Sequence, residues 1–318
     1  MCGKVVTVTL NPAIDITLMA DSLEADIANR VMGEMRQGGG KGINVSRVVD
    51  SFGVETVCIC LVGNNNAREF AEYLKEAKLK YDFVEVGGAV RENLMIRCGD
   101  RSIKLNRKGP SVSGETISSM TALIKRHIRE GDIVVFGGSL PENMPVNDYV
   151  DMIVAVKNCG VFVVVDSDCL SAEDYRRISP WLMKPNIHEL KNIVSMADDS
   201  PLVADELSEY AEKAAKLLCE SGVENVLVSL GGNGVVYVGG TESVRARVPQ
   251  VEVKSTVGAG DSTVAGFIAG FLLGYTPEER IRLAAACGTA TVMLEGTMLT
   301  DKKAALEILY RVKVGDAD

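Results

Sequence analysis

The segment VGAGDST, residues 257–263, places an aspartate directly behind a glycine-rich turn. Asp261 is followed by the apolar run VAGFIAGFLLG, which predicts a buried helix. A carboxylate in the first turn of such a helix can accept a proton from a hydroxyl group. The backbone amides of Gly258, Ala259 and Gly260 can stabilise negative charge on a transferred phosphoryl group. The segment therefore favours phosphoryl transfer, with a capped buried helix as the alternative.

Two further glycine-rich turns could hold phosphate groups, namely GGGKGIN at residues 38–44 and SLGGNG at residues 229–234. Glycines let backbone amides approach an anion closely, and a helix N-terminus adds a favourable dipole. Neither a Walker motif nor a dinucleotide fingerprint is present, because Lys41 precedes Gly42 and the first strand ends in Leu-Asn-Pro. The alternatives are a flexible turn before a helix for the first segment and a hairpin turn for the second.

The elements that must position these residues follow an α/β rhythm. Short β-branched runs, such as those from Val5 and Thr56, alternate with amphipathic segments, such as those from Ile43 and Ala67. This alternation predicts a mostly parallel central sheet with helices on both faces. Ligands of such sheets bind at the carboxyl ends of the strands. We expect residues 1–318 to form a single domain of this kind.

Two regions break the rhythm, because strand-like pieces follow one another without room for helices between them. They predict a small discontinuous β-sheet from approximately 12–37 and 90–108. One apolar face of this sheet would be left over, so it needs a partner surface. We expect the sheet to act as a lid over a cleft and to pair with a second subunit in a homodimer.

The composition limits the partners of the chain. Its 318 residues carry a net charge of −9, which argues against binding to nucleic acid or to an anionic membrane surface. The longest apolar run, Val264–Leu273, is shorter than the roughly 20 residues that a membrane span needs. We expect a cytoplasmic protein with no membrane partner. The eight cysteines are scattered, and we expect them to be reduced packing residues, including the CxC pair Cys58 and Cys60.

Motifs along nearly the entire chain resemble those of the ribokinase-like (PfkB) family of sugar kinases. The resemblance is to its phosphosugar branch, which contains 1-phosphofructokinases and tagatose-6-phosphate kinases. The matching segments are, in order, TVTLNPAID, GGGKGIN, REN, GGSLP, KPNIHEL, SLGGNG and VGAGD. The resemblance implies the ribokinase-like fold and an ATP-dependent, Mg²⁺-requiring kinase that acts on a sugar phosphate.

The same resemblance implies a role for each matching residue on the sugar side. Asp261 resembles the family's general base, with the anion hole at Gly258, Ala259 and Gly260. The groups that hold the sugar hydroxyls would be Asp15, Asn44 and the backbone at Gly40. The groups that hold the phosphate already on the sugar would be Lys41, Arg91, Asn93 and Ser139.

On the nucleotide side, Asn186 and Glu189 form an NxxE pattern. The resemblance implies that this pair organises Mg²⁺ and the phosphates through water, whereas a capping box at a helix start fits the same spacing. The remaining residues that would contact the nucleotide are Lys184, Ser229, Gly231, Gly232 and Gly234.

The lid motifs bear on the identity of the sugar. Arg91-Glu92-Asn93 and the segment LNRKGP at 105–110 are closer to family members that act on fructose 1-phosphate than to tagatose-6-phosphate kinases. We therefore predict conversion of fructose 1-phosphate to fructose 1,6-bisphosphate, with tagatose 6-phosphate and fructose 6-phosphate as alternative substrates. A non-catalytic regulatory protein that binds sugar phosphates is the alternative of another class. Two departures from the family pattern have no assigned role: Asp166-Ser167-Asp168-Cys169 and the basic residues Lys104, Arg107 and Lys108.

Overall fold

The computed structural model describes residues 3–99, 101–194, 204–240 and 242–315. The strands are β1 (Val5–Thr9), β2 (Ala13–Ala20), β3 (Val31–Gly39), β4 (Thr56–Gly63), β5 (Lys80–Val86), β6 (Arg91–Cys98), β7 (Arg101–Asn106), β8 (Ile133–Gly137), β9 (Phe162–Asp166), β10 (Leu182–Met183), β11 (Asn225–Ser229), β12 (Val235–Gly239), β13 (Glu242–Arg247) and β14 (Lys313–Val314). The helices are α1 (Lys41–Ser51), α2 (Ala67–Glu76), α3 (Gly114–His127), α4 (Val146–Lys157), α5 (Ala172–Ile178), α6 (Ile187–Val194), α7 (Ala204–Glu220), α8 (Ala259–Leu272), α9 (Pro277–Val292) and α10 (Lys302–Leu309).

Ten strands form the large central sheet, in the order β14-β13-β12-β11-β10-β9-β8-β1-β4-β5. Neighbouring strands are parallel from β5 to β11, and β12, β13 and β14 are antiparallel additions at one edge. Strand β1 lies between β4 and β8 in this sheet. The carboxyl ends of the parallel strands therefore lie along one edge, where a crevice can form.

Helices cover both faces of this sheet, because successive strand residues point to opposite sides. Val134 and Phe136 of β8 pack into a core with α3, α4, α5, α6 and α7. Ile133 and Val135 of the same strand pack into a second core with α1, α8, α9 and α10. The predicted fold class, a mostly parallel sheet covered by helices with a second small sheet, is confirmed.

The small sheet has the strand order β3-β2-β6-β7 and comes from two separate parts of the sequence. Asp15 of β2 lies opposite Gln37 of β3 and Asn93 of β6, so these three side chains share one face. On the other face, Ile14 and Ile16 pack against α2 in a third core cluster. The sheet is thus anchored beside the large sheet while its polar face stays available.

The apolar run after Asp261 forms helix α8, which packs closely on α9. A Cβ atom on Gly266 would lie 2.8 Å from the carbonyl oxygen of Leu283, and one on Gly270 would lie 3.1 Å from the Arg280 side chain. Glycine spacing in this run predicts the same close contact at Gly274, and there the prediction is wrong. Gly274 follows the end of the helix with φ of 79° and has no atom near a built Cβ, because it serves the turn.

The described cysteines are all free thiols, from Cys58 to Cys287, and Cys2 lies outside the described residues. Cys58 and Cys60 are buried in β4 among core residues. Within the described ranges, no set of three or more His, Cys, Asp or Glu side chains is arranged to hold a metal ion. None of the helices described is both long and apolar enough to cross a bilayer.

Candidate active site

A cavity of about 1000 Å³ lies at the carboxyl edge of the large sheet and beneath the polar face of the small sheet. Strand β9 ends with Asp166, Lys184 directly follows β10, and Ser229 ends β11. Helices α1 and α8 begin at the same edge, so their free amide groups face the cavity. Parallel strands bring together residues that are far apart in sequence because all their carboxyl ends meet here.

Asp261 lies in the first turn of α8 and is 6% exposed. Helix α8 begins at Ala259, and Gly258 before it adopts φ of 75°, which a side chain would disfavour. The alternative for VGAGDST, a capped buried helix, is right about the buried helix and wrong about the cap, because no side chain caps α8. The Asp261 carboxylate instead accepts a hydrogen bond from Asn44 Nδ2 at 2.7 Å. Because Asp261 lies inside helix α8 and not at its N-cap, its carboxylate does not cap the backbone amides of the helix.

Two effects raise the pKa of Asp261 to about 6. Burial is the larger effect, since it disfavours the charged carboxylate, and the nearby Asp166 carboxylate adds repulsion. The hydrogen bond from Asn44 and the charges of Lys41 and Lys184 act in the opposite direction. Asp261 can therefore be ionised at neutral pH and still accept a proton readily.

Asp166 joins the two lysines of the cavity. Lys41 Nζ lies 3.0 Å and Lys184 Nζ 3.6 Å from Asp166 Oδ1, and both Asp166 and Lys184 are buried. Burial alone would raise the pKa of Asp166, but Lys184 and Lys41 hold that pKa below its usual value. A Cβ on Gly260 would lie 3.3 Å from Lys184 Nζ, so this ammonium group stands beside the first turn of α8.

The GGGKGIN segment ends β3 and begins α1 in a tightly packed turn. Gly40 precedes the helix with φ of 139°, and a Cβ there would lie 2.7 Å from Thr9 Cγ2. A Cβ on Gly42 would lie 2.5 Å from Thr9 Oγ1, so the turn rests directly on the end of β1. The flexible-turn alternative is wrong, because this packing and the pairing of Lys41 with Asp166 fix the segment.

A second polar group lines the cavity on the small sheet. Asp15 Oδ1 accepts a hydrogen bond from Asn93 Nδ2 at 3.0 Å, and burial raises the pKa of Asp15 although Asn93, Arg91 and Arg47 act to lower it. Burial lowers the pKa of Arg91, although the negative charge of Asp15 acts to raise it. Arg91 Nε is buried with no hydrogen-bond partner among the described residues. This guanidinium group is suited to an anion that enters the cavity.

The NxxE pattern and the SLGGNG turn each have a local structural role, and each also lines the cavity. Asn186 Oδ1 accepts hydrogen bonds from the amides of His188 and Glu189, and Glu189 Oε2 accepts one from the Asn186 amide at 2.8 Å. The capping box at the start of α6 is thus present. SLGGNG joins the antiparallel strands β11 and β12, so the hairpin alternative also holds. Both segments nevertheless border the cavity.

The structure brings all but one of the predicted site residues into the cavity lining. The lining contains Asp15, Gly40, Lys41, Asn44, Arg91, Asn93, Lys184, Asn186, Glu189, Ser229, Gly231, Gly232, Gly234, Gly258, Ala259, Gly260 and Asp261. Ser139 is not part of it. The loop after β8 directs the Ser139 hydroxyl to Asn11, whose Nδ2 donates to Ser139 Oγ at 3.2 Å.

Sequence reasoning missed two residues that shape this site. In the sequence, Asp166 stands out only as a departure from a family pattern, yet it lines the cavity and pairs with both Lys41 and Lys184. Its position after the β-branched run FVVV was the available signal, because that run predicts a strand ending at the ligand edge. Arg47 donates a hydrogen bond to the Gly38 carbonyl oxygen at 2.9 Å, and its positive charge acts to lower the pKa of Asp15. No sequence signal distinguishes it from a solvated helix residue.

A parallel sheet whose carboxyl edge collects a buried aspartate, two lysines and a glycine-rich helix start has the parts that phosphoryl transfer needs. The chain belongs to the pfkB family of carbohydrate kinases, whose model matches residues 5–304. It is therefore an ATP-dependent sugar kinase.

Named relatives agree with this assignment. A 1-phosphofructokinase of Bacillus subtilis is 34% identical over 97% of this chain and 98% of its own length. A tagatose-6-phosphate kinase of Staphylococcus epidermidis is 28% identical, with 94% and 96% covered. The crystal structure of phosphofructokinase-2 from Escherichia coli in complex with potassium matches with a TM-score of 0.88 at 25% identity, covering 97% and 98%.

The charge arrangement predicts that Asp166→Asn lowers the pKa of Asp261 below about 6. The substitution removes a negative neighbour that raises this pKa, and it leaves Lys41 and Lys184 unneutralised, which favours the Asp261 carboxylate further. The measurement is a carbon-13 titration of aspartate carboxyls, with Asp261→Asn used to assign the resonance. Asp168→Asn is the matched control, since Asp168 is exposed and should leave the Asp261 midpoint unchanged. An unchanged or higher midpoint in Asp166→Asn would contradict the described coupling.

Proposed function

We propose that this kinase transfers the γ-phosphoryl group of ATP to fructose 1-phosphate and forms fructose 1,6-bisphosphate. The observation that carries the proposal is that one cavity is lined by Asp261, which Asn44 binds, and also by two lysines and by Asp15 with Arg91. An acceptor hydroxyl near Asp261 would thus have a cationic site for its own phosphate within the same cavity.

Asp261 is the proposed general base. Its carboxylate takes the proton of the acceptor hydroxyl as that oxygen bonds to the γ-phosphorus, while the bond from the γ-phosphorus to the bridging oxygen breaks and ADP leaves. Asn44 holds the carboxylate through the 2.7 Å hydrogen bond, so the base cannot rotate away from the acceptor. With its pKa raised to about 6, the Asp261 carboxyl is a stronger base than an ordinary aspartate and is still mostly ionised at neutral pH.

The start of α8 is the proposed anion hole for the transferring group. The amides of Gly258, Ala259 and Gly260 precede the first helical hydrogen bond, which runs from the Ser262 amide to the Gly258 carbonyl oxygen at 2.9 Å. These amides can therefore donate to phosphoryl oxygens. Lys184 beside Gly260 adds positive charge where charge spreads over those oxygens.

The sugar is held by two groups in this proposal. Asp15, Asn44 and the Gly40 backbone bind its hydroxyls, because a short acid and an amide can accept and donate hydrogen bonds. The phosphate already on the sugar is held by Arg91, Lys41 and Asn93. Arg91 is the strongest candidate for this phosphate, since its buried Nε has no partner among the described residues.

The nucleotide lies along the other wall in this proposal, against Lys184 and the turn that contains Ser229, Gly231, Gly232 and Gly234. When bound, Mg²⁺ would supply positive charge that offsets the charge of the ATP phosphates. Asn186 and Glu189 would hold it through water, which fits the habit of Mg²⁺ to keep waters and to need only one or two carboxylates. Glu189 uses Oε2 for the helix cap, so Oε1 can serve the hydrated ion.

Fructose 1-phosphate is proposed over other ketohexose phosphates on two grounds. The Bacillus subtilis relative named 1-phosphofructokinase is 34% identical to this chain. The Arg91-Glu92-Asn93 segment also places Asn93 on Asp15 and lies opposite Asn106 of β7 in the small sheet. These amides can discriminate between sugar hydroxyl arrangements, because a site built for a hydrogen bond rejects an analogue that lacks it.

We further propose that the small sheet is a lid and forms the interface of a homodimer. Several of its apolar side chains are exposed, namely Met19, Val31, Met32, Ile103 and Leu105. The expected result is a species of twice the 34.1 kDa chain mass in analytical ultracentrifugation at micromolar concentration. Met32→Glu with Leu105→Glu should give monomers, and Tyr310→Glu, at an exposed position on α10's end, should not. A monomeric wild-type protein would refute the interface.

Substrate preference is tested by measuring ADP release from fructose 1-phosphate, tagatose 6-phosphate and fructose 6-phosphate. We expect kcat/KM to be at least about tenfold higher for fructose 1-phosphate, because the amides of the lid select its hydroxyls. Asn93→Ser should reduce this preference, whereas Ser102→Ala on the same hairpin should not. Equal low activity on all three sugars would show that the assignment of the substrate is wrong while leaving the kinase class intact.

Asp261→Asn tests the general base. We expect kcat to fall by about 10²–10⁴-fold with little change in substrate affinity, because the amide cannot take the proton. In the wild type, kcat/KM should fall as the pH drops below about 6, when the carboxyl becomes protonated. Asp50→Asn, at an exposed position of α1, is the matched control. Turnover that persists in Asp261→Asn would exclude this base, and absent turnover in the wild type would favour a sugar-phosphate-binding protein.

A further inference from the structure

A second cavity, of about 570 Å³, lies between the β6–β7 hairpin of the small sheet and the segment from Glu252 to Thr256. Basic side chains line both of its walls. The hairpin contributes Arg97, Arg101 and Lys104, and the opposite segment contributes Lys254. Two carboxylates, Glu252 and Glu295, are also present. The lining thus carries a net positive charge in a chain whose net charge is −9.

The strand register gives this cavity its basic side chains. Met95 lies opposite Lys104, and Arg97 lies opposite Ser102, so these four residues share one face of the hairpin. Asn93, two residues before Met95, is on the same face. The face that borders the active-site cavity therefore continues outward as a basic surface.

The protein itself neutralises only part of this charge. Arg97 pairs with Glu295 at 3.6 Å, and Arg101 donates to the Leu23 carbonyl oxygen at 3.3 Å. Lys104 and Lys254 form no salt bridge with any residue of the described ranges. The neighbouring basic residues differ, since Arg107 pairs with Glu92 and Lys108 with Glu142, both at 2.8 Å. Of the basic residues at 104–108, Lys104 is the one whose charge faces this cavity.

The two cavities share a wall. Val253 and Thr256 line both, and the segment that carries them leads directly into the Gly258 turn of the active site. This segment is held in place by the Lys254 amide, which donates to Val292 at 2.8 Å, and by Ser255 Oγ, which donates to the Gly296 carbonyl oxygen at 2.6 Å. A ligand that binds against the segment would thus contact an element of the active site.

We propose that this second cavity is an anion site that binds a phosphorylated small molecule between the small sheet and the body of the enzyme. Charged groups on both walls suit a ligand with two linked phosphates, or with phosphates at both ends. The volume is within the range of small-molecule pockets. Such a ligand neutralises Lys104 and Lys254 together and holds the small sheet in its present position over the active site.

The test is a calorimetric titration of the full-length protein with inorganic pyrophosphate. The wild type should bind pyrophosphate at two sites per chain, the active site and this cavity. Lys104→Gln with Lys254→Gln should lose the second site or weaken it at least about tenfold, since each charge-assisted bond contributes about one factor of ten. Lys108→Gln with Lys303→Gln is the charge-matched control, because both side chains lie outside the cavity. Turnover at saturating substrates verifies that every variant is folded.

The outcomes separate a built site from general electrostatic attraction. Loss of one site in the cavity variant alone supports the proposal. Equal binding in all three proteins overturns it, and so does an equal loss in the control variant. Competition by fructose 1,6-bisphosphate and by ADP then identifies the source of the phosphates, because the true ligand competes at the site that the cavity variant lacks. The binding test does not depend on which sugar the enzyme phosphorylates.

Discussion

The buried carboxylate of Asp166 is the charge on which the rest of the site depends. Two lysines from different elements, Lys41 at the start of α1 and Lys184 after β10, lie against it. A buried carboxylate without such partners would be strongly disfavoured, and so would the buried ammonium group of Lys184. The cluster therefore keeps positive charge inside an acidic protein, close to where phosphates are transferred. It also acts on Asp261, whose pKa rises to about 6 through burial and the neighbouring Asp166 charge.

Two helix starts complete the site around this cluster. At Gly40 and Gly258 the chain enters α1 and α8 with positive φ, which exposes unpaired amides at the same edge of the sheet. The close packing of Gly266 on α9 holds helix α8, and with it the start of the helix, in place. The hydrogen bond from Asn44 on α1 to Asp261 on α8 then joins the two helices at the wall of the cavity. Preorganised amides and a fixed carboxylate require little rearrangement during the reaction.

Local patterns in the sequence predicted the helices and strands well, and predicted the contacts of individual side chains less well. The alternation of β-branched and amphipathic runs predicted the confirmed fold class. Asn186 and Glu189 fitted both a capping box and a ligand site, and they form the cap while lining the cavity. Spacing alone cannot separate such readings, because one geometry satisfies both. Gly274 was misassigned for a related reason, since a four-residue glycine spacing does not reveal where the helix ends.

The sequence by itself determined the fold class, the small sheet, and the glycine turns with their acid, because periodicity and turn chemistry are local properties. Only the tertiary structure decided how the charges combine. Asp166 and Lys184 come from adjacent strands, whereas Lys41 is 125 residues away in the chain from Asp166. The tertiary structure likewise turned Ser139 toward Asn11 and away from the cavity. The physical reason is that pairing, burial and pKa depend on distances across the carboxyl edge of the sheet, which no sequence spacing encodes.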